Sequence, residues 1–116
     1  MITNITRQQT IASSVTVARH SWQRLKGLLG RAELPQKEAL IITRCQSIHM
    51  VFMKFPIDVI FCDAQNKVVG LCVNIQPFCF SPIFFKASYA IELPAGSIEA
   101  SQTQIGDYLN GDVCQL

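Results

Sequence analysis

Between Ser47 and Asp63 the chain sets a histidine, a carboxylate and a proline inside an otherwise apolar run, Ser47-Ile48-His49-Met50-Val51-Phe52-Met53-Lys54-Phe55-Pro56-Ile57-Asp58-Val59-Ile60-Phe61-Cys62-Asp63. A segment made only to fill a core has no use for His49 or Asp58, because burying either without a partner costs free energy. After Pro56 the pattern is that of a strand: Ile57, Val59 and Phe61 share one face, and Asp58, Ile60 and Cys62 share the other. Asp63 to Lys67 is a polar turn, and Val68 to Ile75 returns as the partner strand of a hairpin. If Cys62 pairs with Val68, Asp58 stands opposite Cys72 on one face. A slip of one residue would reverse that arrangement.

The flanking segments extend the β reading. Thr10 to Val17 is short-chained and often β-branched, which suits an opening strand, and Ala39 to Thr43 is a short apolar strand. Tyr89, Ile91 and Leu93 alternate with Ser88, Ala90 and Glu92, the pattern of a half-buried strand. Pro94-Ala95-Gly96 and Ile105-Gly106-Asp107 are turns, and Asn110-Gly111-Asp112 is a hairpin signal. One segment has the helical period: Ala18, Trp22, Leu25 and Leu29 form a single apolar stripe, with Gly30 placed to end the helix and Pro35 to turn the chain. Gly27 inside it implies close approach to another backbone. Many short strands, one early helix and frequent turns predict a mostly β fold, a small β-barrel or jelly-roll-like sandwich with the N-terminal helix packed against it.

At 116 residues, 49% of them hydrophobic and 16% charged, the chain suits one domain spanning 1–116 with one real core. No apolar run approaches the ~18 residues that cross a bilayer. Met1 to Thr16 is polar, so neither signal peptide nor anchor is expected; the expected location is cytoplasmic for a chain that begins here and exported for one trimmed of a leader. The net charge is +2, but the cations Arg7, Arg19, Arg24, Lys26, Arg31, Lys37, Arg44 and Lys54 all precede Asp58. Such a patch suits an acidic partner or a solvated helix face. Aromatics do not alternate with it, which argues against nucleic acid. The cysteines, Cys45, Cys62, Cys72, Cys79 and Cys114, are odd in number and show no CxxC spacing, so they read as reduced thiols used mostly in the core. No phosphate loop, Rossmann fingerprint, calcium loop or nucleophile elbow occurs, and no cofactor is expected.

Four pieces in one order resemble a known family: Arg24-Leu25-Lys26-Gly27-Leu28-Leu29-Gly30-Arg31; Ile48-His49-Met50 through Met53 with Phe55-Pro56-Ile57-Asp58-Val59-Ile60-Phe61 and Asp63; Ile91-Glu92-Leu93-Pro94-Ala95-Gly96; and Ile105-Gly106-Asp107. Together they are similar to the family called domain of unknown function 192. Leu29 stands where that family commonly has methionine. The resemblance implies a mostly β fold with a helix packed on it. It brings no established activity, and the cysteines are not part of its pattern. Many members resemble exported or membrane-tethered proteins, a feature that this chain's polar start does not match.

Arg31, His49, Asp58 and Glu92 lie in the matched pieces and are the candidate ligand-binding residues. Gathered at one mouth, they would offer an imidazole that titrates near neutrality and carboxylates balanced by a guanidinium, a set suited to proton transfer or metal ligation. The simpler alternative is that Asp58 and Glu92 tie backbone segments to the sheet. Phe78, Phe80, Phe84 and Phe85 form a candidate interface, because Pro77 and Pro82 keep them out of a central strand. The expected function is therefore a β module binding a small molecule or a protein partner near His49 and Asp58. The alternatives are a metal-assisted or acid–base enzyme using those two residues, or a structural subunit docking through Phe78–Phe85. No catalytic residue, metal ligand set or oligomeric state follows from the sequence.

Overall fold

A computed structural model describes residues 1–18, 34–50 and 53–116. In chain order its strands are β1 (Ile2–Asn4), β2 (Gln9–Ala12), β3 (Ser14–Ala18), β4 (Glu38–Thr43), β5 (Ile57–Cys62), β6 (Val68–Ile75), β7 (Tyr89–Pro94) and β8 (Leu109–Gly111). Between β7 and β8 lies a short helix, α1 (Ser97–Ser101), and a 3-10 turn follows at Asp112–Gln115. The strands make a five-stranded sheet in the order β3-β4-β7-β5-β6 and a three-stranded sheet in the order β2-β1-β8. The β3–β4 pair is parallel and the other pairs are antiparallel.

Neither sheet closes among the described residues, which corrects the barrel expectation. The large sheet ends on β3 and β6, and the small one on β2 and β8. The physical reason lies in what covers the large sheet. On one face the small sheet packs, burying Ile2, Ile11, Ile41, Ile60, Cys62, Ile91, Leu93, Ile98, Leu109 and Val113 in one cluster. On the other face Leu40, Ile42, Ile57, Val59, Phe61 and Ala90 meet Ile48, Met50, Met53, Phe55 and Ala87, which come from the connections rather than from strands. Pro56, Pro77 and Pro82 lie in or beside those connections and lack the N–H that a ladder needs.

The strands β5 and β6 have the bounds expected on either side of the Asp63–Lys67 turn, and Cys62 pairs with Val68. Two corrections apply nearby. The register shifts between Phe61 and Cys62 and again between Ile57 and Val59, so Val59, not Asp58, faces Cys72. Strand β7 is central, between β4 and β5, and all six of its residues are buried rather than half of them. The expected opening strand is two strands in different sheets. The chain crosses over at Ser13 and Ser14, whose N–H groups both donate to the Lys37 carbonyl (2.9 and 3.1 Å). Asn110 and Gly111 lie within β8, paired to β1, and are not a hairpin turn. The helix expected from Ala18 to Leu29 lies outside the described residues apart from Ala18, which ends β3; the α-helix found among the described residues is α1, toward the C-terminus.

The small sheet is held by a buried carboxylate. Asp107 accepts from Asn4 Nδ2 (2.9 Å), Arg7 Nε (3.0 Å) and the Gln104 N–H (2.9 Å). Burial pushes its carboxyl up, but the bonds from Arg7, Asn4 and Gln104 outweigh that and hold it below its usual value.

Candidate functional site

Asp58 is fully buried on β5, and its carboxylate is engaged by backbone. Oδ1 accepts the Asn74 N–H (2.8 Å), and Oδ2 accepts the Gly96 N–H (3.1 Å) and the Ile98 N–H (2.9 Å). The bulged register of β6 supplies the first donor, with Asn74 in a left-handed conformation at φ 53°. The tight turn into α1 supplies the others, with Gly96 at φ 96°, where a Cβ would be strained. One side chain thus ties β6 and the β7–α1 corner to β5. Charge-assisted bonds of this kind are the strong ones.

Glu92 is equally buried but points the other way. It faces Leu40 on β4 and Val59 on β5, while Asp58 pairs with Leu93. Neighbouring residues on a strand project to opposite faces, so Asp58 and Glu92 cannot share an opening. The Glu92 carboxylate is not left without an interaction. Arg31 lies outside the described residues. Among the described residues no three of His, Cys, Asp and Glu come together as a metal-sized cluster.

His49 is exposed and belongs to a different construction. The segments 46–50 and 78–85 run against one another as an irregular antiparallel ribbon, with His49 bridged to Phe80. The Phe78 N–H donates to the Met50 carbonyl, the Met50 N–H to the Cys79 carbonyl, the Ser81 N–H to the Ile48 carbonyl and the Phe84 N–H to the Gln46 carbonyl, each at 2.8 Å. Side chains add to the ribbon: Ser81 Oγ accepts the Ile48 N–H (2.8 Å), and Gln46 Nε2 donates to the Phe85 carbonyl (2.9 Å).

The four phenylalanines divide. Phe84 faces inward, half-buried, with its ring centroid 4.6 Å from that of Phe61. It lies against Gly70, where a Cβ would overlap the ring. It anchors the ribbon and is not part of an exposed lip, which corrects that part of the candidate interface. Phe78, Phe80 and Phe85 face outward, 66%, 72% and 80% exposed. Phe78 also has φ 64°, a left-handed conformation rare for a bulky residue and costly by roughly 1–2 kcal/mol.

Sequence reasoning missed a concavity, a cleft of about 600 Å³ lined by Thr43, Arg44, Ala64, Asn66, Ser88, Tyr89, Val113, Cys114 and Leu116. Its residues come from the end of β4, the β5–β6 turn, the start of β7 and the C-terminal segment. Read alone, these stretches are two strand ends, a polar turn and a C-terminal segment, so no local signal marks the site. Beneath it Cys62 pairs with Tyr89. Burial pushes the Cys62 thiol up to about 12, with a smaller push from Asp63 and an opposing hydrogen bond from Tyr89. Burial, with the nearby Cys62, also raises the Tyr89 phenol well above its usual range. Both groups are therefore neutral at physiological pH.

Comparison with known proteins agrees with this architecture. The family model DUF192, described as Uncharacterized ACR, matches residues 2–111. A UPF0127 protein of Thermococcus sibiricus is 33% identical over 97% of this chain and 75% of its own length. A UPF0127 protein of Pyrococcus furiosus is 34% identical over 91% of this chain and 93% of its own length. The crystal structure of a protein of unknown function from Novosphingobium aromaticivorans superposes with a TM-score of 0.73 at 24% identity, covering 84% of this chain and 74% of that one. At that identity the likeness concerns the fold.

Proposed function

This chain belongs to the DUF192 family, and from its own surface we propose that it is a binding module that docks a protein partner through His49, Phe78, Phe80 and Phe85. The observation that carries this reading is the exposure of three phenylalanine rings on a ribbon whose two segments are joined by backbone hydrogen bonds and which Phe84 anchors on the sheet against Phe61 and Gly70. Isolated exposed apolar residues are ordinary, but a cluster of rings held rigidly outward marks an interaction surface. A pinned ribbon loses little conformational freedom on binding, so ring burial converts into affinity more fully.

The surrounding charge specifies the partner. From Cys45 to Ile57 and from Ile75 to Ile91 there is no Asp or Glu, while Lys54 and Lys86 are cationic. An apolar segment flanked by acidic residues complements that surface. Asp58 takes no direct part, since its oxygens accept from three backbone amides. For the same reason it does not orient His49 as an enzymatic site would require.

The test uses a photo-crosslinking residue at Phe80 in cells, followed by binding measurements with the purified captured protein. The expected result is one predominant adduct whose affinity for the intact chain falls at least about tenfold with Phe78→Ser or Phe85→Ser, as for central aromatic contacts. The melting temperatures of those variants should stay close to the parent. Absence of a predominant adduct, or affinity indifferent to both substitutions, would overturn the reading. So would ring-dependent sedimentation with anionic vesicles, which would assign the ribbon to a lipid surface.

A further inference from the structure

We propose that the cleft between the ends of β4, β5 and β7 and the C-terminal segment is a second site, which binds a small organic carboxylate with a short apolar body. The proposal is independent of the aromatic ribbon. The argument begins with charge. Arg44 lines the cleft, no Asp or Glu does, and among the described residues no carboxylate lies within ion-pair distance of Arg44. The nearest acid in sequence on the opposite wall, Asp63, is turned into its own turn, where Oδ1 accepts from the Gln65 N–H (2.9 Å) and the Lys67 N–H (3.0 Å). A guanidinium at a concave opening, with no Asp or Glu side chain lining it among the described residues, suits carboxylate recognition, because its planar fork donates two parallel bonds.

The backbone around it points the same way. Two lining residues other than glycine, Arg44 at φ 52° and Asn66 at φ 64°, are in the left-handed region. Asparagine tolerates that conformation, which is uncommon for arginine, although Gln8, Lys37 and Gln102 adopt it elsewhere in the chain. Strain of this sort collects at ligand sites, where the surrounding structure fixes a side chain in a useful direction.

The remaining lining is suited to orientation. The Tyr89 hydroxyl donates to Asn66 Oδ1 (2.9 Å), which fixes the Asn66 amide with its Nδ2 toward Cys114 Sγ (3.6 Å). The Ser88 N–H is committed to the Cys62 carbonyl (2.7 Å), and its side chain lies on the cleft wall as a short polar group. Ala64, Val113 and Leu116 give apolar wall for a ring or short alkyl chain. A volume of about 600 Å³ falls in the ordinary range for small-molecule sites.

The experiment titrates the full chain with benzoate and, separately, with neutral benzamide, following backbone amide shifts by NMR. Saturable shifts confined to residues lining the cleft, at least about tenfold weaker for benzamide and lost in Arg44→Ala, are the expected result. A second readout is alkylation of Cys114 by iodoacetamide, resolved from Cys79 by peptide mass spectrometry. Benzoate should slow labelling at Cys114 and leave Cys79 unchanged. Shifts that do not saturate into the millimolar range, equal response to the amide, or full binding by Arg44→Ala would each overturn the proposal.

Discussion

Removing the Asp58 carboxylate is the sharpest test of its role as an internal tie. Asp58→Ala leaves three backbone N–H groups, those of Asn74, Gly96 and Ile98, without their acceptor. The Ile98 bond is fully buried and the other two are partly so. A buried donor left unsatisfied costs about 1–3 kcal/mol, and partial access to water recovers some of that at the other two, so the total should be about 3–5 kcal/mol. For a domain whose whole stability is of order 5–15 kcal/mol, that is a large fraction. Asp58→Asn keeps one acceptor oxygen and should lose about 1–2 kcal/mol. Equilibrium unfolding in urea reads both values, with the m-value checking that the unfolding reaction itself is unchanged. A loss below about 1 kcal/mol for Asp58→Ala would refute the tie, since that is the level of an ordinary surface or mildly buried change.

Three further perturbations probe the ribbon and the small sheet. Phe78→Gly should hold or raise the unfolding free energy read in urea, by up to about 1 kcal/mol, because glycine accepts φ 64° freely, while partner binding falls. Gly70→Ala drives a methyl into the Phe84 ring and should cost about 1–3 kcal/mol by thermal or urea unfolding, as overpacking does; hydrogen exchange at the Phe84 amide should rise with it. Asp107→Asn should flatten the acid limb of a stability–pH curve. The folded carboxyl titrates below its usual value, so its contribution is present above the unfolded pKa of about 3.9 and is lost as the pH falls through the lower folded value. Above that window the two proteins should share one slope.

Local pattern was enough for the strands that carry a clear period. Val68–Ile75 and Ile57–Cys62 are short, largely apolar runs bounded by a polar turn, so their ends and even the Cys62–Val68 pairing were legible. The two bulges were not, because an extra residue leaves alternation intact on either side of it. Glu92 misled by the same rule: a charged residue on an alternating strand reads as an outward face, whereas β7 is sandwiched and buries both faces. Ile2–Asn4 was missed because three residues carry no period of their own; the strand exists through its pairing with β2 and β8. For the candidate site, the chemistry of Asp58 was visible but its direction was not. Which backbone amides meet a carboxylate depends on contacts 16 to 40 residues away. The phenylalanine segment was legible as irregular, because Pro77 and Pro82 exclude a ladder. That Phe84 alone turns inward depends on the gap left at Gly70.

Radical footprinting of the aromatic rings, in the purified protein and in intact cells, bears most directly on the ribbon as the working surface. Purified, Phe78, Phe80 and Phe85 should oxidise readily while Phe61 and Phe84 stay protected. In cells the first three should become protected, and Ile105 and Tyr108, also exposed but on the small-sheet side, should label as before. Equal labelling of Phe78, Phe80 and Phe85 in the two settings would contradict a docking role for the ribbon.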